Sequence, residues 1–311
     1  MKAASLIHFA SLAAGIQMVS AVPTTSYNTG TLGTVGDGAN STGVVVDQPG
    51  AISTYPDYSS SYASPENTTV PFRPELNPAA ASPFTVEFWA KPTASDGDDA
   101  PVSNRLGGNV NRTGWVFFQR AAATGWNFRM YNGNGTAVGW DLTGGTATLN
   151  AWSHVVAVWN GSSAQLYVNG VNTNASNTGA GGYNVNVTES FYLGALLNGG
   201  SPSTGSVDEV AFYPTALTGT QIANHYAAAT SNTFGKYSSL VAADGAIEYL
   251  QQNPPSATVT VTSNNPLTTK VTFTGILSQS PDLVTWTDLV VTSPYTPSSP
   301  QPNRLFFTAH R

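Results

Sequence analysis

The chain has 311 residues, no cysteine, a formal net charge of −6 and only 9% charged side chains. Disulfide staples, cysteine nucleophiles and thiolate metal sites are thereby excluded. No basic stripe exists to neutralise a phosphate backbone, so nucleic acid is not an expected partner, and the length allows one large domain plus a small one.

Residues 1–21 carry Lys2, an apolar run and the small-residue close Val19-Ser20-Ala21. This is the pattern of a secretory signal peptide cut after Ala21, so a secreted or cell-surface location is expected, with no membrane span in the mature chain. From 22 to 83 the sequence is rich in Gly, Ser, Thr, Asn and Pro, and the spacing of its prolines predicts short edge strands joined by turns.

A series of strand patterns follows over 84–91, 114–120, 126–131, 137–142, 152–159, 164–168, 190–196 and 206–213, each bounded by Gly, Asn, Pro or Ser. Asn160-Gly161 and Asn169-Gly170 supply the positive-φ tolerance of hairpin turns, which predicts an antiparallel meander. Over 126–131, Trp126, Phe128 and Met130 alternate with Asn127, Arg129 and Tyr131, so one sheet face is core and the other wet. Residues 155–159 are apolar throughout, as for a central strand covered on both sides, and two stacked sheets account for both patterns. One short helix is expected over 219–229, capped by Thr218 and Gln221, with Ile222 and Tyr226 one turn apart. Residues 231–256 read as a linker. Residues 257–311 read as a small β module with Trp286 as its anchor, two of its strands flanking a Ser-Pro-Asp turn at 280–282 and a last strand at 304–309.

Four segments, 83–92 (PFTVEFWAKP), 152–158 (WSHVVAV), 165–170 (QLYVNG) and 205–226 (GSVDEVAFYPTALTGTQIANHY), together resemble the laminin-G-like domains of the concanavalin A-like lectin-glucanase superfamily. The resemblance covers roughly 66–229 and suits an exported bacterial protein. It implies an all-β fold: a two-sheet antiparallel jelly-roll sandwich over 22–230, its core at 84–230, with one short C-terminal helix and the small β module after it. It also implies glycans or extracellular proteins as partners, and a calcium ion at the sandwich rim. Carried over to this sequence, Asp208 becomes the side-chain calcium ligand, with Glu66 or Asn67 supplying a second oxygen. Two ligands do not define a shell of about six to eight oxygens, and Asp208 as a loop anchor is the alternative reading. The acidic loop Asp96-Gly97-Asp98-Asp99 lacks the EF-hand continuation, since Gly107 falls where the bidentate Glu belongs, and is expected to be solvated.

A glycosidase places two carboxylates across one bond. Asp208 and Glu209 are neighbours, which on a regular strand point to opposite faces, and His154, His225 and His310 show no metal-ligand spacing. No catalytic residue is expected, and the chain reads as a binding module rather than an enzyme. A hydrolase or lyase using a cross-strand pair such as Glu87 with Glu209, or a purely structural surface protein, are the alternatives. The expected ligand-binding residues lie on the wet sheet face: Asn127, Arg129 and Tyr131, with Trp140 beside them, since rings stack on sugar faces while amide and guanidinium groups bind hydroxyls. Loops at the sandwich rim are a second possibility.

Overall fold

The computed structural model describes residues 25–52, 58–95, 97–108, 110–120, 125–231, 234–251, 276–280, 287–289 and 306–310. The expected signal peptide, Asp96 and Trp286 lie outside these residues. In chain order the strands are β1 (Thr25–Asn28), β2 (Gly38–Asn40), β3 (Val45–Pro49), β4 (Tyr58–Tyr62), β5 (Thr68–Val70), β6 (Phe84–Pro92), β7 (Asp99–Ser103), β8 (Trp115–Gln119), β9 (Trp126–Tyr131) and β10 (Val138–Gly144). They continue with β11 (Ser153–Trp159), β12 (Ala164–Val168), β13 (Val171–Asn172), β14 (Phe191–Leu193) and β15 (Gly205–Tyr213), then helices α1 (Gly219–Thr230) and α2 (Phe234–Ala243), then β16 (Glu248–Gln251), β17 (Ile276–Ser280), β18 (Thr287–Leu289) and β19 (Phe306–His310).

Two antiparallel sheets form the sandwich. The first runs β10-β9-β8-β7-β14-β5-β2-β1 and the second β16-β15-β6-β11-β12-β13, with β4 joining β15 to β3. The seam between them is β1, which pairs Thr25 and Ser26 with β2 and Tyr27 and Asn28 with β16. Asn28 secures this seam: its side-chain oxygen accepts from the Tyr249 and Gly30 amides, and its Nδ2 donates to the Gly33 and Ile247 carbonyls.

Phe84, Phe88, Trp115, Phe117, Trp126, Phe128, Phe191 and Phe212 are fully buried between the sheets. Phe88 meets Phe117 edge-on at 4.9 Å, a geometry that adds about 0.5–1.5 kcal/mol beyond area burial. The far face of the second sheet is not wet. α1 and α2 cover it with Ile222, Ala228, Ala229, Tyr237 and Val241 against Trp89, Val156 and Tyr213. This is why every residue of β11 is buried: one face meets the other sheet and one meets helices. The capping box at Thr218 and Gln221 is present.

Residues 234–251 depart from the expected linker. α2 supplies a second helix, with Tyr237 and Val241 buried one turn apart, and β16 pairs with both β15 and β1. The C-terminal strands form their own three-stranded antiparallel sheet, β18-β17-β19, with Leu277 opposite Leu289 and Ala309.

Strict alternation also fails along β15. Val207, Val210 and Phe212 belong to the inter-sheet core, whereas Ala211 and Tyr213 face the helices, so one extra residue is accommodated after Asp208. Its register against β6 slips between Asp208 and Ala211, and Glu209 takes φ +51°, a β-bulge with a non-glycine residue in the left-handed region. The bulge sits where the neighbour of β15 changes from β4, paired through Val207, to β16, paired from Val210.

Candidate functional site

The bulge changes the chemistry expected at Asp208 and Glu209. Both are buried, at 3% and 2% exposure. Asp208 accepts from the Ala51 amide through Oδ2 at 2.8 Å and from the Glu209 amide through Oδ1 at 2.9 Å, while Glu209 accepts from the Tyr249 hydroxyl. Glu66 is engaged elsewhere, accepting from the Ser41 hydroxyl and the Gly43 amide, and Asn67 Oδ1 accepts from Thr69. The expected calcium ligands thus hydrogen-bond to different loops, Asp208 to the Ala51 and Glu209 amides and Glu66 to Ser41 and Gly43. No group of three or more His, Cys, Asp or Glu residues able to hold a metal occurs among the described residues. In the acidic loop, Asp98 pairs with Arg120 at 3.0 Å and reaches Arg129 at 4.0 Å.

The residues expected to bind ligand do not form one site. Asn127, Arg129 and Tyr131 share the face of the first sheet away from the core, but Asn127 is 0% exposed, and its Nδ2 donates to Asp141, to the Leu142 carbonyl and to Thr143. Arg129 lies 3.3 Å from Asp141 and its guanidinium covers Phe118. Tyr131 is buried beneath Arg105 and Arg112. Trp140 is on the opposite face, paired with Met130 and packed edge-on against Trp159 at 5.5 Å. A register slip between Val138 and Trp140 breaks the counting on which its expected placement depends.

Under the helices lies a polar hub that sequence periodicity did not reveal. Glu87, 0% exposed, stands on β6 opposite Val156 of β11 and Ala211 of β15. It accepts from His154 Nε2 at 2.7 Å, His225 Nδ1 at 2.9 Å, Tyr213 at 2.8 Å and Tyr237 at 3.0 Å. Four donors fill the carboxylate's capacity. His225 Nε2 meets Asp244 at 2.9 Å, so both its ring nitrogens face carboxylates and only the imidazolium can donate to both. Burial raises the Glu87 pKa, but the His225 charge and the histidine hydrogen bonds outweigh it and hold the group well below the usual carboxylate range. Burial works against the His225 charge, yet Glu87 and Asp244 raise its pKa overall. Tyr213 and Tyr237 are pushed up, first by burial and then by Glu87, and remain hydroxyl donors.

The hub buttresses a cleft. At the rim, the turn after β10 and the loop into β11 face the β12–β13 hairpin across a cavity of about 410 Å³, lined by residues that include Thr146, Thr148, Trp152, Ser153, Asn169 and Asn172. Trp152 is half-buried, and the Lys91 ammonium lies 5.1 Å from its ring. Asn169 accepts from the His154 amide at 3.0 Å and donates its own amide to the His154 carbonyl at 2.8 Å. His154 thus anchors both walls, Ser153 on one side and Asn169 on the other, while its ring is fixed by Glu87. The hairpin turn is seated on α1: Gly170, at φ +75°, lies where a Cβ would come within 2.9 Å of Tyr226. Trp89 stacks on Tyr226 at 5.9 Å and meets the His154 ring at a tilt of 31° with centroids 4.9 Å apart.

The family described as the concanavalin A-like lectin/glucanases superfamily, in its laminin G form, matches residues 64–223, more than half of the chain. The chain belongs to this superfamily. Its sandwich is similar to a native heptameric SAP-like pentraxin from Limulus polyphemus, with 17% identity over 58% of this chain and 80% of that one and a TM-score of 0.38. Domain 4 of AbnA, a GH43 extracellular arabinanase from Geobacillus stearothermophilus solved with arabinotriose, matches at 16% identity over 64% and 96% of the two chains, with a TM-score of 0.43. The botulinum neurotoxin serotype D binding domain matches at 15% identity over 61% and 46%, with a TM-score of 0.47, so the chain spans just under half of it. These likenesses concern the sandwich alone. No curated protein matches the sequence. No helix among the described residues of this superfamily member is long and apolar enough to cross a membrane.

Proposed function

We propose that this chain is an exported, non-catalytic carbohydrate-binding module and that the rim cleft is its binding site. The observation that carries the reading is the lining: a half-buried Trp152 among Asn and Thr side chains, with no carboxylate among the lining residues. An indole face stacks on a sugar ring while amides and hydroxyls read its hydroxyl groups. Glycoside hydrolysis calls for a carboxylate pair astride the bond, whereas Glu87 and Glu209 are 0% and 2% exposed on the helix-covered side of the sheet.

The test is a panel of polysaccharides in affinity gels. Wild type is retained by at least one neutral glycan without releasing reducing sugar, and Trp152→Ala weakens retention at least tenfold, the scale of one lost aromatic platform. Sugar release that disappears in Glu87→Gln or Glu209→Gln would overturn the proposal, as would unchanged retention in Trp152→Ala.

A further inference from the structure

A second cluster lies on the outer face of the first sheet, away from the rim cleft. Four of the chain's eleven basic residues, Arg105, Arg112, Arg120 and Arg129, fall between 105 and 129. Arg120 and Arg129 pair with Asp98 and Asp141, Arg112 Nε donates to the Gly108 carbonyl, and Arg73 Nε donates to the Val35 carbonyl. Arg105 differs from all of them. It makes neither an ion pair nor a hydrogen bond among the described residues, and its Nε, like those of Arg120 and Arg129, is shielded from solvent without a hydrogen-bond partner, so that Arg105 has no acceptor at any of its nitrogens. A guanidinium stays charged at every accessible pH and carries five donors, so a half-buried one without an acceptor is a costly arrangement.

The surroundings prepare Arg105 for an acceptor. A bridge between Leu106 and Thr113 extends the β7–β8 pair beyond the sheet and places Arg105 and Arg112 on its two arms. Both guanidinium carbons lie against the Tyr131 ring, 5.8 Å and 5.6 Å from its centroid. That ring is itself buried, packed with Val116, Phe118 and Leu196. A cation held over a fixed aromatic face loses little further freedom when a ligand arrives, and the planar fork matches a pair of oxygens on one anionic group.

We propose that Arg105, set on Tyr131 beside Arg112, binds a carboxylate or sulfate group of an acidic polysaccharide. The polysaccharide as carrier rests on the glycan-binding reading above, but the site is separate from the cleft. Affinity electrophoresis in gels containing polygalacturonate, dextran sulfate or neutral dextran tests it, the two acidic polymers separating carboxylate from sulfate as the source. Wild type is expected to be retarded more by an acidic polymer than by dextran, increasingly so at low salt. Arg105→Gln should weaken that extra retardation about tenfold, while Trp152→Ala leaves it in place. Arg120→Gln, which removes a cation already paired with Asp98, should change it less than twofold. The proposal fails if neither acidic polymer retards the protein beyond dextran, or if Arg120→Gln costs as much as Arg105→Gln. It also fails if Arg105→Gln binds as wild type. Should Arg105→Gln not fold, Arg105→Lys carries the test: it keeps the charge, removes the planar fork, and should still lose several-fold. Loss of dextran binding in Trp152→Ala with intact acidic binding would separate the two sites.

Discussion

His225 and Glu87 form a fully buried pair, Nδ1 to Oε2 at 2.9 Å, at the centre of the contact between helices and sheet. The groups facing it are His154, Tyr213, Tyr237 and Asp244. The folded pKa of Glu87 lies below its ordinary 4.5, so its contribution is complete above about 4.5 and is lost as pH falls through the folded value. The folded pKa of His225 lies above its ordinary 6.5, so its contribution is complete below about 6.5 and is lost as pH rises through the folded value. Melting temperature against pH should therefore peak between those two ordinary values. In His225→Gln the alkaline decline should flatten; a decline of unchanged steepness would show that the pair is not its source.

Removing one member of a buried pair leaves the other charge without compensation. Glu87→Gln should cost about 3–5 kcal/mol in urea unfolding, more than a surface substitution such as Glu75→Gln. The double mutant Glu87→Gln/His225→Gln should be less destabilised than the sum of the singles, because each single change already strands the other partner. Strict additivity would count against a coupled hub.

Gly170→Ala tests the seat of the cleft hairpin. The added methyl meets Tyr226 at a residue with φ +75°, so backbone strain and a steric clash act together. Destabilisation of about 1–2 kcal/mol is expected, with weaker glycan retention because the Asn169 wall shifts. Gly33→Ala, at φ +60° with open space around it, should cost stability through backbone strain without affecting retention.

Asp208→Ala strands the amides of Ala51 and Glu209, which points to a loss of about 1–3 kcal/mol per unsatisfied donor. The drop in melting temperature should be the same in EGTA as in calcium, since the oxygens act as acceptors of N–H groups. A calcium-dependent difference that disappears in the mutant would instead make Asp208 an ion ligand.

Much of the architecture was legible because periodicity reports burial. The unbroken apolar run at 155–159 identified a strand covered on both sides, although the sequence did not tell that helices cover one of them. The spacing Tyr237, Leu240, Val241 carried the signal for α2, but Gly235 and two serines within the segment made it read as linker. Side-chain direction was legible only where the register is unbroken: a bulge misplaced Glu209, and a register slip misplaced Trp140. Glu87 was visible as an acid in an apolar strand, but its partners come from β11, β15, α1 and α2, a convergence that no local pattern encodes. Trp152 stood in the sequence as the start of a strand, and only the hairpin opposite makes it a cleft residue.

Because β1 takes partners from both sheets, the sandwich's own ends, residues 25 and 251, lie at one margin, with Tyr27 opposite Gln251. The cleft lies at the other end of the strand order, where β10 meets β12 and β13. The same arrangement means that the seam joins positions separated by more than two hundred residues, so the first strand must wait for nearly the whole sandwich to be synthesised before it finds its second partner.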